Sequence, residues 1–244
     1  SVSELNAIAG ATTGVVTATL VANTLANLES LSTESTDYIT IVVNDAADTS
    51  LAPTDLRDLG LKTAGTVTVT NAVDISGTPS EVTAALVTPG SKVVVDYATV
   101  TILGNPTIDE LNDIAGATDG VVTAALADNL LLTNLISLTT NSTDDITITV
   151  NDADDTSLAA TGLSTLGLKT AGTVTVTNAV DISGTPSEVT AALVTPGSKV
   201  VVDYATVTIL GNPTIDELND IAGATKGVVT AELAPTSLAN LSSL

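Results

Sequence analysis

Any chemistry in this chain has to be carried by carboxylates, amides and hydroxyls, because its 244 residues include no His and no Cys. A Ser/His/Asp or Cys/His nucleophilic site is therefore out of reach, and so are the usual general base and the commonest zinc ligand. Two neighbouring carboxylates can cleave a glycosidic bond, and Asp109/Glu110 and Asp216/Glu217 are candidate pairs. Glu110 and Glu217 have a simpler explanation. Each stands three residues after a threonine, Thr107 or Thr214, as the second half of a helix capping box. Sugar-cleaving sites also stack substrate on aromatic rings, and the aromatics here are Tyr38, Tyr97 and Tyr204 alone. Neither GxxxxGK[ST] nor GxGxxG occurs. The expectation is a protein that is not an enzyme, with no catalytic or cofactor-binding residues.

The second candidate chemistry is cation binding. Asp152, Asp154 and Asp155 crowd the turn Asn151–Ser157, and Asn44–Ser50 is its twin with one carboxylate fewer. Calcium takes six to eight oxygens in relaxed geometry. The run lacks the Gly and Glu positions of an EF-hand and the GGxGxDx repeat of calcium β-rolls. An ion held by Asp152, Asp154 and Asp155 would have to bridge to a neighbouring coil, with Asp181 the nearest carboxylate in the next unit. Calcium is the one cofactor considered, and a solvated acidic turn is the competing reading. With 28 acidic against 6 basic residues the formal charge is −22. That balance argues against nucleic acid and anionic membrane as partners. No apolar run approaches the roughly 20 residues of a membrane span, so membrane insertion is not expected. No signal peptide is visible, and the opening at Ser1 without Met reads as a fragment or a processed chain.

The elements that position these residues come from a repeat. Leu59–Thr118 returns letter for letter as Leu166–Thr225, 107 residues on. Within that long period a finer beat of β-branched runs starts at Val15, Ile39, Val67, Val93, Val121, Ile146, Val174, Val200 and Val228. Four beats make one long repeat, and a unit of about 27 residues is typical of solenoids. The first and third residues of each run are read as the core face, for example Val67 with Val69 and Val174 with Val176. The second residue, such as Val16, Thr68, Val122 or Val229, is read as outward. The outward Thr/Val row is the kind of surface that could meet a repetitive partner such as ice, polysaccharide or mineral. Aspartates at Asp96 and Asp203 interrupt it.

After each strand comes a second apolar beat, as at Val73 and Ile75 or Val100 and Ile102, and then a helix signal. Ser1/Glu4, Thr78/Glu81, Thr107/Glu110, Thr185/Glu188 and Thr214/Glu217 all have capping-box spacing, with Pro79 and Pro186 suited to the first helical position. The segments between Val15 and Ile39 and between Val121 and Ile146 lack the capped motif and are expected to be irregular. The chain closes on a similar Leu-rich stretch, Leu238-Ala239-Asn240-Leu241. The expected fold is an α/β repeat solenoid over 1–244 as a single array. It would be right-handed, with about nine coils of about 27 residues, each a short parallel strand plus a short helix or turn. An all-β parallel β-helix is the alternative.

The motif T-x-x-E-L-N-x-I followed by A-T-x-G-V-V-T-A, carried by Thr107–Ala124, Thr214–Ala231 and more loosely Ser3–Ala18, is similar to tandem repeats of giant secreted acidic bacterial surface proteins, the cyanobacterial kind especially. The resemblance implies an extracellular or cell-surface stalk or adhesin segment and brings no catalytic residues. Its partners would be neighbouring repeats of the same parent chain, with end-to-end self-association as a further expectation. The perfect sixty-residue duplication is also what an engineered consensus array would contain.

Overall fold

The computed structural model of the chain describes residues 1–235, 241, 242 and 244. The closing stretch Leu238-Ala239-Asn240 thus lies outside the described residues. The chain divides into two compact units, Ser1–Ala124 and Ala125–Leu244. Both are α/β, and the strand pairs within each are parallel.

The first unit runs α1 (Val2–Gly10), β1 (Thr17–Thr19), α2 (Leu25–Leu28), β2 (Tyr38–Val43), β3 (Ser50–Leu51), α3 (Pro53–Gly60), β4 (Val67–Val69), β5 (Asp74–Gly77), α4 (Pro79–Val82), β6 (Val93–Val95), β7 (Thr99–Ile102), α5 (Ile108–Ala115) and β8 (Val122–Ala125), whose last residue begins the second unit. A π-helical turn over Thr83–Val87 continues α4. In the second unit follow α6 (Leu132–Leu135), β9 (Asp145–Val150), β10 (Ser157–Ala159), α7 (Ala160–Gly167), β11 (Val174–Val176), β12 (Asp181–Gly184), α8 (Pro186–Leu193), β13 (Val200–Val202), β14 (Thr206–Ile209), α9 (Ile215–Ala224) and β15 (Val229–Thr230).

Two sheets form in each unit, where the sequence suggested one. In the first unit β1-β2-β4-β6 make one ladder, and β3, β5, β7 and β8 pair in series as the other. In the second unit β9, β11 and β13 pair in series, and β10, β12, β14 and β15 form the companion sheet. The second apolar beat is thus a strand in its own right. The corner between the two sheets is held by amides. Asn71 Nδ2 donates to Asn44 Oδ1 (3.0 Å) and to the Asp45 carbonyl (2.6 Å), and Asn178 does the same to Asn151 (3.0 Å) and Asp152 (2.6 Å). The chain leaves β4 or β11 turned, and Asp74–Gly77 or Asp181–Gly184 runs along a second wall.

The inward faces are aliphatic. Ile39, Ile41, Val43, Val67, Val69, Ile75, Val100 and Ile102 in the first unit, and Ile146, Ile148, Val150, Val174, Val176, Ile182 and Val207 in the second, are all at most 4 % exposed. Helices close the remaining side, with Leu56, Leu59, Val82, Leu111 and Ile114, or Leu163, Leu166 and Val189, fully buried or nearly so. The five capping boxes read from the sequence are all formed, each threonine or serine hydroxyl accepting from the glutamate N–H three residues on. The helices in the segments expected to be irregular are the four-residue α2 and α6.

Register differs from the sequence reading in two ways. Ile41, not Ile39, stands opposite Val67, and Ile148, not Ile146, opposite Val174. A shift of two residues keeps the same face inward. The runs at Val121 and Val228 are shifted by one residue, which exchanges faces. Val121 and Val228 are exposed, Val122 is buried and Val229 half-buried; Val15 and Val16 at the chain start show the same reversal. These late runs also join a different sheet: Val122 pairs with Val100, and Val229 with Val207.

The cause is a Thr-x-Gly clamp ahead of the strand. Thr118 Oγ1 donates to the Ala98 carbonyl (2.7 Å) and accepts from Gly120 N–H (3.0 Å), and Thr225 does the same to Ala205 (2.6 Å) and Gly227 (3.0 Å). A Cβ on Gly120 or Gly227 would lie 2.2 Å from that carbonyl oxygen, so glycine is required for the approach. The clamp seats the run beside β7 or β14 with its second valine inward.

Val69 is 1 % exposed and its neighbour Thr68 faces outward, half-buried. Val69→Asp should therefore destabilise by about 3 kcal/mol or more, from an unpaired carboxylate in an aliphatic layer. Thr68→Asp should stay within about 1 kcal/mol. Equilibrium denaturant unfolding of the two variants checks the register; equal losses would contradict it.

Candidate functional site

The acidic turn Asn151–Ser157 follows β9 and leads into β10. Two of its three carboxylates are engaged with backbone N–H groups. Asp152 is buried, and its Oδ2 accepts from Leu132 N–H at 2.8 Å, holding the start of α6. Asp154 Oδ1 accepts from Ala179 N–H (2.9 Å). Asp155 sits in the left-handed region at φ 61° with its carboxylate exposed, and its N–H donates to the Ala179 carbonyl (2.9 Å). Asp181 Oδ1 accepts from the Thr206 hydroxyl. The twin turn repeats the plan: Asp45 Oδ2 accepts from Leu25 N–H (2.8 Å), Asp48 is left-handed at φ 62°, and Asp74 accepts from Thr99.

Among the described residues no three carboxylates come together in a group that could hold a metal ion. Asp152 and Asp154 are close in sequence but serve different partners, Leu132 N–H and Ala179 N–H, and Asp155 is exposed. Asp152 and Asp154 each already spend one carboxylate oxygen on a backbone N–H.

The carboxylate pairs considered for sugar chemistry are placed on helix starts. Glu110 Oε2 accepts from Thr107 N–H (2.9 Å), Glu217 Oε2 from Thr214 N–H (2.8 Å), and Asp109 and Asp216 are exposed beside them. Glu217 is held below the ordinary glutamate range by the Thr214 backbone N–H and then by its hydroxyl. Glu81 and Glu188 are lowered in the same way by Thr78 and Thr185. A general acid needs the opposite shift.

Several fold-forming polar groups were not evident beforehand. Asp37 is buried and spends both oxygens on backbone, Oδ1 on Val16 N–H (2.7 Å) and Oδ2 on Glu34 N–H (2.9 Å). Asp144, its counterpart, accepts from Asn141 N–H at 2.7 Å. Thr63 and Thr170 are clamps of the same Thr-x-Gly type. The signal was present as a recurrent Thr two residues before Gly, but in a Thr-rich chain it reads as ordinary turn composition.

The remaining candidates are surface features. Lys226, which stands where the first repeat has Asp119, pairs with Asp203 at 3.2 Å and lies 5.5 Å from the Tyr204 ring centre. Both partners are well exposed, so the pair contributes at most about 1 kcal/mol. Asp96 and Asp119 line a shallow depression of about 150 Å³ with Val95 and Gly116–Thr118. Lys92 and Lys199 occupy left-handed turns at φ 60° and 58°, and Tyr97 and Tyr204 are exposed. The outward rows are Val42–Thr68–Val94 on one sheet and Ser76–Thr101–Thr123 on the other, with Asp74–Thr99 beside the latter. No helix among the described residues is long and apolar enough to cross a membrane. Compared with protein-family models, curated proteins and solved structures, the chain matches none.

Two solution properties follow. Cations should act on the −22 charge by screening alone. Sodium chloride at matched ionic strength should therefore reproduce the entire rise in melting temperature seen in millimolar calcium. An excess with calcium would establish a site at these turns. The depressed carboxyls set the acid limb. A group whose pKa is lowered by folding contributes stability above its unfolded value of about 4.3 and loses it as pH falls through the folded value. Glu81→Gln with Glu188→Gln and Glu217→Gln keeps an acceptor at each cap but removes the titration. The triple variant should lose less stability than the parent between about pH 5 and pH 3, measured by thermal unfolding against pH.

Proposed function

We propose that the chain is a structural spacer, a non-catalytic segment of a large extracellular or cell-surface protein of the adhesin kind. In this reading the two units form one right-handed solenoid of about nine coils, stacking at about 4.8 Å per strand. Its partners are neighbouring repeats of the same parent chain, with no role for nucleic acid or membrane insertion. The observation that carries the reading is the parallel register. Val67 stands opposite Val93 and Val174 opposite Val200, while Ile75 and Ile182 stand opposite Val100 and Val207. Each layer buries its aliphatic residues against the next, which is the condition for a stack that can be lengthened without changing its cross-section. The commitment of the buried carboxylates to backbone N–H groups supports the absence of catalysis in the proposal.

Nine layers alone are about 43 Å long, close to the diameter of a globule of this mass. Tandem chains with one, two and three additional 107-residue repeats are the sharper test. Each added repeat of four layers should lengthen the maximum dimension in small-angle scattering by about 19 Å at constant cross-sectional radius, with a single unfolding transition. Growth in all dimensions, or beads with separate transitions, would contradict a spacer.

A further inference from the structure

The segment Ser1–Ala18 is a near copy of Thr107–Ala124 and Thr214–Ala231, so the same residue can be compared in three settings. Ile114 of α5 and Ile221 of α9 are 0 % exposed, whereas Ile8 of α1 is 58 % exposed. The π-turn after α4 packs on α5, which carries Ile114, and α8 packs on α9, which carries Ile221. Val122 is 0 % exposed and Val16 half-buried. The other side of α1 is anchored: Asn6 donates to the Ser30 carbonyl (2.8 Å) and accepts from Ser32 N–H (2.9 Å). The side that carries Ile8, buried in the other two copies, is open.

Polar groups on this side are laid out for the same neighbour. Thr118 and Thr225 each donate to a carbonyl of the preceding layer, and Gly120 and Gly227 are needed because that carbonyl oxygen would be 2.2 Å from a Cβ. Thr12-Thr13-Gly14 repeats the clamp, with Gly14 N–H donating to Thr12 Oγ1 at 3.0 Å. The nearest atom to a Cβ on Gly14 is that same Oγ1 at 3.4 Å, and no carbonyl approaches. The Val121 and Val228 carbonyls accept from Val100 N–H and Val207 N–H, both at 2.9 Å. The matching acceptor is Val15, beside β1, which is the end strand of its sheet.

We propose that the face made by α1, the Thr12–Gly14 clamp and β1 is a docking surface for one further repeat layer of the Thr83–Ile102 kind, contributed by a neighbouring repeat of the parent chain. The layer enters in parallel, places the carbonyl equivalent to Ala98 on Thr12 Oγ1 and beside Gly14, and covers Ile8 with the equivalent of the Thr83–Val87 turn. This rests on the reading of the chain as a section of a repeat array, and adds which face is used and which residues must meet it.

The test is the full chain extended by a second copy of Tyr38–Pro106 joined ahead of Ser1, as Pro106 is joined to Thr107. Amide hydrogen exchange over Val2–Thr19 should slow by at least about tenfold, toward the level of Ile108–Ala124. Gly14→Ala should be neutral in the original chain and lower the folding equilibrium by about tenfold or more in the extended one. Unchanged exchange over Val2–Thr19, a protease-sensitive added block, or Gly14→Ala neutral in both chains would overturn the proposal. So would concentration-dependent protection of these amides in the unextended chain, which would make a second copy the occupant. Scattering on the same sample separates the two ideas. Protection without lengthening leaves the docking face standing and removes the spacer; lengthening without protection does the reverse.

Discussion

The structure depends on threonine hydroxyls buried at the entry to strands β4 and β11. Thr63 Oγ1 accepts from Ile39 N–H (2.8 Å) and Gly65 N–H (2.8 Å) and has the Ile39 carbonyl at 2.8 Å as its acceptor; Thr170 makes the same set with Ile146 and Gly172. Both threonines are at most 2 % exposed. A Cβ on Gly65 would lie 2.4 Å from the Ile39 oxygen, and one on Gly172 2.5 Å from that of Ile146. The hydroxyl satisfies a strand-entry N–H that would otherwise be buried without a partner, and the glycine lets the two backbones close. Aliphatic side chains alone are interchangeable between layers, and a Val/Ile/Leu core can slide. A polar clamp that fits one spacing cannot.

The same economy governs the acidic residues. Asp37, Asp45, Asp144 and Asp152 are buried in a chain of net charge −22. Backbone N–H groups at loop and helix starts take their oxygens, which replaces the lost hydration. Asparagines at the strand exits, Asn44 with Asn71 and Asn151 with Asn178, link layers through side-chain amides. The residue types that suggest a metal or hydrolytic site are therefore used to turn corners. What is left exposed is a surface rich in Thr, Ser, Asp and Val, with Tyr38, Tyr97 and Tyr204 as its aromatic residues.

What was legible in the sequence was local. The five capping boxes are pairs three residues apart with one geometric solution, and all five formed. The inward faces of β4, β6, β11 and β13 were readable because Val-x-Val has a unique alternation once one valine is known to be buried. The second sheet was harder to see. Asp74-Ile75-Ser76-Gly77 offers one branched aliphatic residue among turn formers, and its strand character comes from pairing with Ser50–Leu51 and Thr99–Ile102. The reversal at Val121-Val122 could not be seen from a pair of identical valines; Gly120, two residues after the clamp threonine, decides it. In the acidic turns, proximity in sequence does not bring three carboxylates into one group among the described residues. Asp155 takes the left-handed conformation and is exposed, whereas Asp152 is buried.

The claim that buried hydroxyls set the layer register is tested most directly at Thr63, by comparing Thr63→Ser and Thr63→Val in equilibrium unfolding with exchange of the Ile39 and Gly65 amides followed residue by residue. Serine keeps the hydroxyl and should cost no more than about 1 kcal/mol. Valine keeps the shape but leaves two buried N–H groups without an acceptor, and should cost about 2–5 kcal/mol with faster exchange at both amides. If Thr63→Val is as stable as Thr63→Ser and those amides stay protected, aliphatic packing alone sets the register and the clamp is incidental.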